Sequence, residues 1–274
     1  MNARLAVAIA LGVGTGACQA TTLLHCRLPG QTTPTRVVSA PSGRFVERLG
    51  RRHGPFDEVA LSTLRASPDG SQLAWAAAVD GAWRVYVDGI AGAPWHGVGE
   101  LAWSRHGVVY GAEQHGRWRV VTPAGVGPPH TRLIAASIQP CGRRAAYLAT
   151  DANGRTNVVV GTTAHGPFAA ATNLMVSQDC AHHAFAFRGG RRAYVQLDGG
   201  RFGPFVDVAE VALSPHLAAA SVLTKRGWRV LTVAGRSPPF TAIGRLVLSR
   251  QRKRLVFAAR SGTGWWIWTR RPST

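Results

Sequence analysis

Lysine is almost missing from this chain, and acids are scarce. Of 32 basic residues only Lys225 and Lys253 are lysines, and just 13 acidic residues oppose them. The formal net charge at pH 7 is +19, which implies attraction to polyanions. A coding preference in the source genome accounts for arginine in place of lysine, but not for the shortage of Asp and Glu. Long apolar runs are lacking too. The nine-residue stretch Leu5 to Val13 is too short to span a bilayer. No segment beyond the N-terminus keeps helical periodicity for three turns, which excludes a helical fold.

Catalytic signatures are also absent. There is no Gly-x-Ser-x-Gly elbow, phosphate loop or dinucleotide fingerprint, and no histidine spacing of a metal motif. Acids are scattered, with no paired glycosidase-like set. Asp57-Glu58 and His182-His183 are adjacent pairs, and neighbours on a strand point to opposite faces. The sequence therefore offers no catalytic residue, no cofactor and no metal ligand.

What is present in quantity is turn chemistry, 32 glycines and 16 prolines, arranged in a repeat. Proline followed by a ring recurs at Pro55-Phe56, Pro94-Trp95, Pro129-His130, Pro167-Phe168, Pro204-Phe205 and Pro239-Phe240, at gaps of 39, 35, 38, 37 and 35 residues. A second marker keeps step: Trp83-Arg84-Val85, Trp118-Arg119-Val120, Thr156-Asn157-Val158, Ala193-Tyr194-Val195, Trp228-Arg229-Val230 and Trp265-Trp266-Ile267. Between markers lie apolar runs such as Leu73 to Ala77, bounded by Ser67-Pro68-Asp69-Gly70, Asp80-Gly81 and Asp88-Gly89. These are strands. Four short strands per 35–40 residues is the unit of a β-propeller blade. The expected fold is all-β, a six-bladed β-propeller over residues 45–274. The last repeat has no proline–ring marker after it, so an N-terminal strand near Pro55-Phe56 is expected to close the last blade. Gly43-Arg44-Phe45-Val46 looks like one further copy of the Trp-Arg-Val strand.

Ser67-Pro68-Asp69-Gly70 followed by Gln72-Leu73-Ala74-Trp75 resembles the WD-type repeats of bacterial envelope propellers of the TolB type. Degenerate copies stand at Ser104-Arg105-His106-Gly107, Gln139-Pro140-Cys141-Gly142, Ser177-Gln178-Asp179-Cys180, Ser214-Pro215-His216 and Ser249-Arg250-Gln251. The resemblance implies fold more than function, because propellers host enzymes, scaffolds and ligand readers.

Residues 1–17 read as a signal peptide: Arg4, an apolar core, then Thr15-Gly16-Ala17-Cys18. Small residues ending in Cys18 resemble a bacterial lipoprotein signal, which implies lipid attachment at Cys18. Thr15 departs from the usual leucine, and ordinary cleavage after Ala17 or Ala20 is the other reading. Gln19, in place of the aspartate of inner-membrane retention, implies an outer-membrane lipoprotein facing the periplasm, or a soluble periplasmic protein if Cys18 stays bare. Residues 18–44 read as a flexible tether. Cys141 and Cys180 fall within one residue of the same column in consecutive repeats, a disulfide candidate in an oxidising compartment, with two unpaired thiols as the alternative. Without lipidation, Cys18 and Cys26 become a second candidate pair.

Positive charge gathers in turns. Arg143-Arg144, His182-His183 and Arg250, Arg252, Lys253 and Arg254 fall between first and second strands. Arg117, Arg155, Arg191-Arg192, Lys225-Arg226 and Arg260 fall between second and third strands. The candidate anion-binding residues are Arg250, Arg252, Lys253, Arg254, Arg143 and Arg144. The Trp-Arg pairs suggest cation–π recognition, but recurrence once per blade points to packing. The sum is an exported, lipid-anchored binding or scaffold module of the envelope. Its partners would be lipopolysaccharide, anionic lipid, acidic glycan or an envelope protein; nucleic acid lies in the wrong compartment. The alternative is a propeller hydrolase or lyase acting on an acidic glycan.

Overall fold

The computed structural model describes residues 35–215, 217–249 and 254–270, and the backbone of two short strands, Cys18–Gln19 and Leu23–Cys26. Among the described residues there is no helix. The chain is a succession of antiparallel sheets, each cut from one continuous stretch. The first contains Cys18–Gln19, Leu23–Cys26, Thr35–Ala40, Gly43–Arg48 and Arg51–Phe56. The second runs through Glu58–Ala66, Leu73–Val79, Ala82–Val87 and Ile90–Ala91. The third runs through Gly97–Ser104, Gly107–Gln114, Arg117–Thr122 and Gly125–Val126. In the fourth the first strand is broken into Arg132–Leu133 and Gln139–Cys141, before Arg144–Thr150, Thr156–Val160 and Thr163–Phe168. The fifth is Ala170–Val176, His183–Gly189, Arg192–Leu197 and Gly200–Phe205. The sixth is Asp207–Ser214, Leu217–Thr224, Gly227–Thr232 and Gly235–Arg236. The seventh is Ala242–Ser249, Arg254–Ser261 and Gly264–Arg270. Meanders of four strands, repeated in this way, are the blades of a β-propeller. The chain divides into two compact units, residues 1–98 and 99–274.

The two sequence markers are one structural device. The ring of each proline–ring pair, at the end of the fourth strand or in a bridge just beyond it, lies opposite the first residue of the other marker: Trp83 with Trp95, Trp118 with His130, Thr156 with Phe168, Ala193 with Phe205, Trp228 with Phe240. Arg44 faces Phe56 in the same way. Each pair is separated by 12 residues, so the repeat unit is a third–fourth strand hairpin of fixed register.

Arg44–Phe56 is therefore a sixth such hairpin, and it modifies the expected closure. Residues 45–56 pair with each other and with Thr35–Ala40, building a sheet of their own. The seventh sheet shows three strands among the described residues. Residues 35–44, expected within a flexible tether, are strand with Thr35 and Val37 buried. The reason is the alternation Thr35, Val37 inward and Arg36 outward, which polar flanking turns hide from a composition-based reading.

Within each of the two units, apolar cores lie between successive sheets. Second strands are buried on both faces, as in Leu73–Val79 and Arg144–Thr150, so they read as alanine-rich runs rather than alternating ones. Val37, Val46 and Phe56 pack with Trp75 and Tyr86 across the first and second sheets. Leu148, Val158, Phe185 and Phe187 join the fourth and fifth; Val195, Phe205, Val211 and Leu231 join the fifth and sixth. Polar side chains on the first strands reach the next sheet. The Glu100 carboxylate accepts from Ile138 N at 3.4 Å, and Glu210 accepts from Leu246 N at 2.9 Å. The Gln139 amide donates to Leu174 O, and the Asn173 amide donates to Ala209 O at 3.4 Å.

Candidate anion-binding site

The turn after the first strand sets the site's rim. In Ser67-Pro68-Asp69-Gly70 the Ser67 hydroxyl donates to Asp69 Oδ1 at 2.6 Å and accepts from Gln72 N at 2.9 Å, while Gly70 N donates to Ser67 O at 2.9 Å. These bonds to the charged carboxylate, from Ser67 first, hold the pKa of Asp69 down to about 2. The degenerate copy keeps the geometry: Ser177 Oγ donates to Asp179 Oδ1 at 2.5 Å and accepts from His182 N at 2.9 Å. Cys180 there takes the left-handed conformation (φ 63°) that Gly70 takes in the intact copy (φ 73°). Its sulfur is joined to that of Cys141 in the preceding sheet's turn, with Cα atoms 5.0 Å apart. Cys18 lies opposite Cys26 in the register of the first two strands.

Of the candidate cations, Arg143 is exposed and donates to Pro123 O at 3.1 Å, which ties the fourth sheet's turn to the third sheet. Arg144, at the start of the next strand, lines a cleft of about 550 Å³ between the third and fourth sheets. Arg254 is half-buried at the start of its strand. Arg250, Arg252 and Lys253 lie outside the described residues. The signal peptide, residues 1–17, also lies outside them.

The cleft contains two groups the sequence did not single out. His130 replaces the carbocyclic ring of the marker, and its Nε2 is 3.2 Å from Tyr147 Oη. Burial, aided by the Arg119 charge, lowers the pKa of His130. Burial pushes Tyr147 up to about 12. At neutral pH both are therefore uncharged, one hydrogen-bonded pair beside the Arg144 guanidinium and Asn157. Elsewhere His165 and His183 have ring centroids 5.0 Å apart, and each Nε2 is buried with no hydrogen-bond partner. Desolvation lowers both pKa values, and for His183 the neighbouring His165 adds to it.

The recurring Trp-Arg pairs are structural. Arg84 Nη1 donates to Gly92 O at 3.0 Å, Arg119 to Gly127 O at 3.0 Å and Arg229 to Ser237 O at 2.8 Å. The offset is eight residues each time, so these arginines clasp the third strand to the fourth. The following valines, Val85, Val120 and Val230, are buried, while the tryptophans are half-buried. In the last sheet Trp265, Trp266 and Ile267 are exposed, and Trp268 meets Phe240 at a centroid distance of 5.1 Å.

Blades with basic turns and clefts define the protein as a β-propeller. No protein family matches the sequence, and neither does any curated protein. Solved structures similar in fold include two β-propeller domains and one further protein. The β-propeller domain of the trilobed protease from Pyrococcus furiosus is 11% identical, covers 92% of this chain and 91% of that one, and gives a TM-score of 0.36. Kluyveromyces lactis Hsv2 is 11% identical over 91% and 94%, with a TM-score of 0.39. The propeller domain of Cps50 (Swd1) from Myceliophteria thermophila is 15% identical over 91% and 95%, with a TM-score of 0.34.

Proposed function

We propose that this chain is an exported, lipid-anchored β-propeller of the TolB-like kind that binds an anionic component of the bacterial envelope. The supporting observation is how few guanidiniums meet a carboxylate. Among the described residues, ion pairs within 4 Å involve Arg48, Arg52, Arg188 and Arg245. Arg84, Arg119, Arg143, Arg155 and Arg229 instead donate to backbone carbonyls, which carry no net charge. Basic turns occur at both ends of the strands, so a broad polyanion such as lipopolysaccharide or an anionic lipid surface suits the molecule better than a small neutral ligand. The test is vesicle co-sedimentation across a salt series. Exposed charges are screened beyond about 8 Å at physiological ionic strength. Binding is expected to weaken steeply with salt, and further when Arg250, Arg252, Lys253 and Arg254 are changed to glutamine. Binding indifferent to salt and to that quadruple variant would overturn the reading.

A second reading, a hydrolase or lyase acting on an acidic glycan, is favoured by the His130–Tyr147 pair in its cleft. A neutral imidazole hydrogen-bonded to a phenol beside a guanidinium can move a proton next to a bound anion. Incubation with polyuronates, followed by measurement of chain length, decides it. Cleavage that survives in His130→Gln and Tyr147→Phe would exclude this cleft as its source.

A further inference from the structure

We propose that a recess between the fourth and fifth sheets is a binding site for a phosphate monoester. The inference rests on the anionic-ligand reading above and specifies its chemistry. The recess, about 270 Å³, is lined by Arg155, Phe168, Phe187, Arg188 and Arg201. Arg155 stands in the turn before Thr156–Val160, Arg188 near the end of His183–Gly189, and Arg201 on the outer strand Gly200–Phe205. Three arginines from three separate segments thus line one concavity together with Phe168 and Phe187.

The guanidiniums are held in different ways. Arg201 lies over aromatic rings, its Cζ 4.5 Å from the Tyr194 centroid and 5.0 Å from that of Phe187. Stacking on ring faces leaves the N–H edge of the planar fork available, the geometry that suits two oxygens of one oxyanion. Arg155 Nη2 donates to Pro167 O at 2.7 Å, which anchors one end of its guanidinium and leaves further donors. Arg188 Nη2 is paired with Asp207 Oδ1 at 2.8 Å. Three cations less one carboxylate leave a local charge of 3 − 1 = +2. A phosphate monoester carries about −1.5 to −2 at pH 7 and presents three strong acceptor oxygens. A diester or a carboxylate, with a single negative charge, would leave the recess half compensated. The volume lies just under the ~300–1,000 Å³ of sites that enclose whole drug-sized ligands. The recess therefore takes a headgroup, with the rest of the ligand outside. The same chemistry occurs on a lipid headgroup and on a soluble sugar or glycerol phosphate.

The test uses the full-length protein. Vesicles containing phosphatidic acid are compared with phosphatidylglycerol vesicles of equal surface charge, and glycerol 3-phosphate serves as the soluble competitor. Arg155→Gln/Arg201→Gln removes two pocket cations. Arg191→Gln/Arg192→Gln removes the same charge from an exposed turn outside the recess. Arg201→Lys keeps the charge and loses the fork. Wild type and the turn variant are expected to prefer phosphatidic acid about tenfold; the pocket variant and Arg201→Lys are expected to lose that preference, with melting temperatures unchanged. Competition by glycerol 3-phosphate would assign the site to a soluble phosphate as well as a lipid one. Equal losses in both double variants, or no preference in wild type, would overturn the phosphate site while leaving the polyanion reading intact. Failure of wild type to bind either vesicle would overturn both.

Discussion

Removing the link between Cys141 and Cys180 should lower the stability of the 99–274 unit substantially. The two cysteines are 39 residues apart in sequence. For a loop of that length the chain-entropy expression gives roughly 13 cal/mol/K, or about 4 kcal/mol at 25 °C. Cys141 is 1% exposed, so Cys→Ala leaves only a small void beside Leu174 and Phe185, both in the same core. For a domain of this size about 1 kcal/mol moves the melting temperature by roughly 2–4 °C, so the expected fall is about 8–15 °C. Thermal melts of wild type and Cys141→Ala/Cys180→Ala, with and without reductant, measure it. Reductant should lower the wild type toward the double variant and leave the variant unmoved. A double variant melting within about 2 °C of wild type, together with free thiols in untreated protein, would refute the reasoning. The same result would weaken the proposal of export, because such bonds persist in oxidising compartments.

Phe205→Ala should cost roughly 3–5 kcal/mol, because Phe205 is 3% exposed within the core of the fifth and sixth sheets; a chemical denaturation midpoint close to wild type would contradict that packing. Stability should decline on acidification below about pH 6.5. Burial lowers the native pKa of His130, His165 and His183, so the unfolded chain takes up protons first and stability is lost as pH falls from the unfolded value through the native ones; a melting temperature constant from pH 7.5 to 5.5 would argue against it. Cys18→Ser should move the protein from the membrane fraction to the soluble periplasm, and mass spectrometry that finds an unmodified Cys18 in the mature protein would reject the anchor. Deleting residues 45–58 removes most of the fourth strand and all of the fifth strand of the first sheet and strips the cover from Trp75, so aggregation is expected; a soluble product with an unaltered melt would contradict the pairing described.

The blade unit was legible because its markers are local. Proline, glycine and ring residues recur at fixed spacing, and the 12-residue offset between them is the register of one hairpin. The copy at Arg44 was harder to count: Arg44 stands where four other copies have tryptophan, although Phe56 keeps its place opposite. Spacing also brought Cys141 and Cys180 into one column. Site chemistry was much less legible. Arg155, Arg188 and Arg201 are scattered over 47 residues, and only sheet stacking brings them to one recess. His130 was visible as the odd member of its column, but Tyr147 sits in an alanine-rich strand that reads as core. The Trp-Arg pairs show the reverse: their recurrence was plain, while their role as carbonyl clasps depends on a strand eight residues on.

The reaching side chains of the first strands have a consequence for how such a chain can evolve. Glu100, Asn173 and Glu210 each lie four residues before the serine of the following turn, so they descend from one position, and Gln139 reaches across from the end of the broken strand in the fourth sheet. Yet the chemistry differs along the series: the glutamates of the third and sixth sheets accept a hydrogen bond from the next sheet, whereas the amides of the fourth and fifth donate one. A glutamate-bearing sheet put in the place of an amide-bearing one would set a carboxylate against a peptide carbonyl. Sheets that began as interchangeable copies have thereby become keyed to their neighbours. Recombination that trades a glutamate seam for an amide seam would yield a chain in which that seam repels, so part of the order of the sheets is written in these polar side chains as well as in the covalent chain.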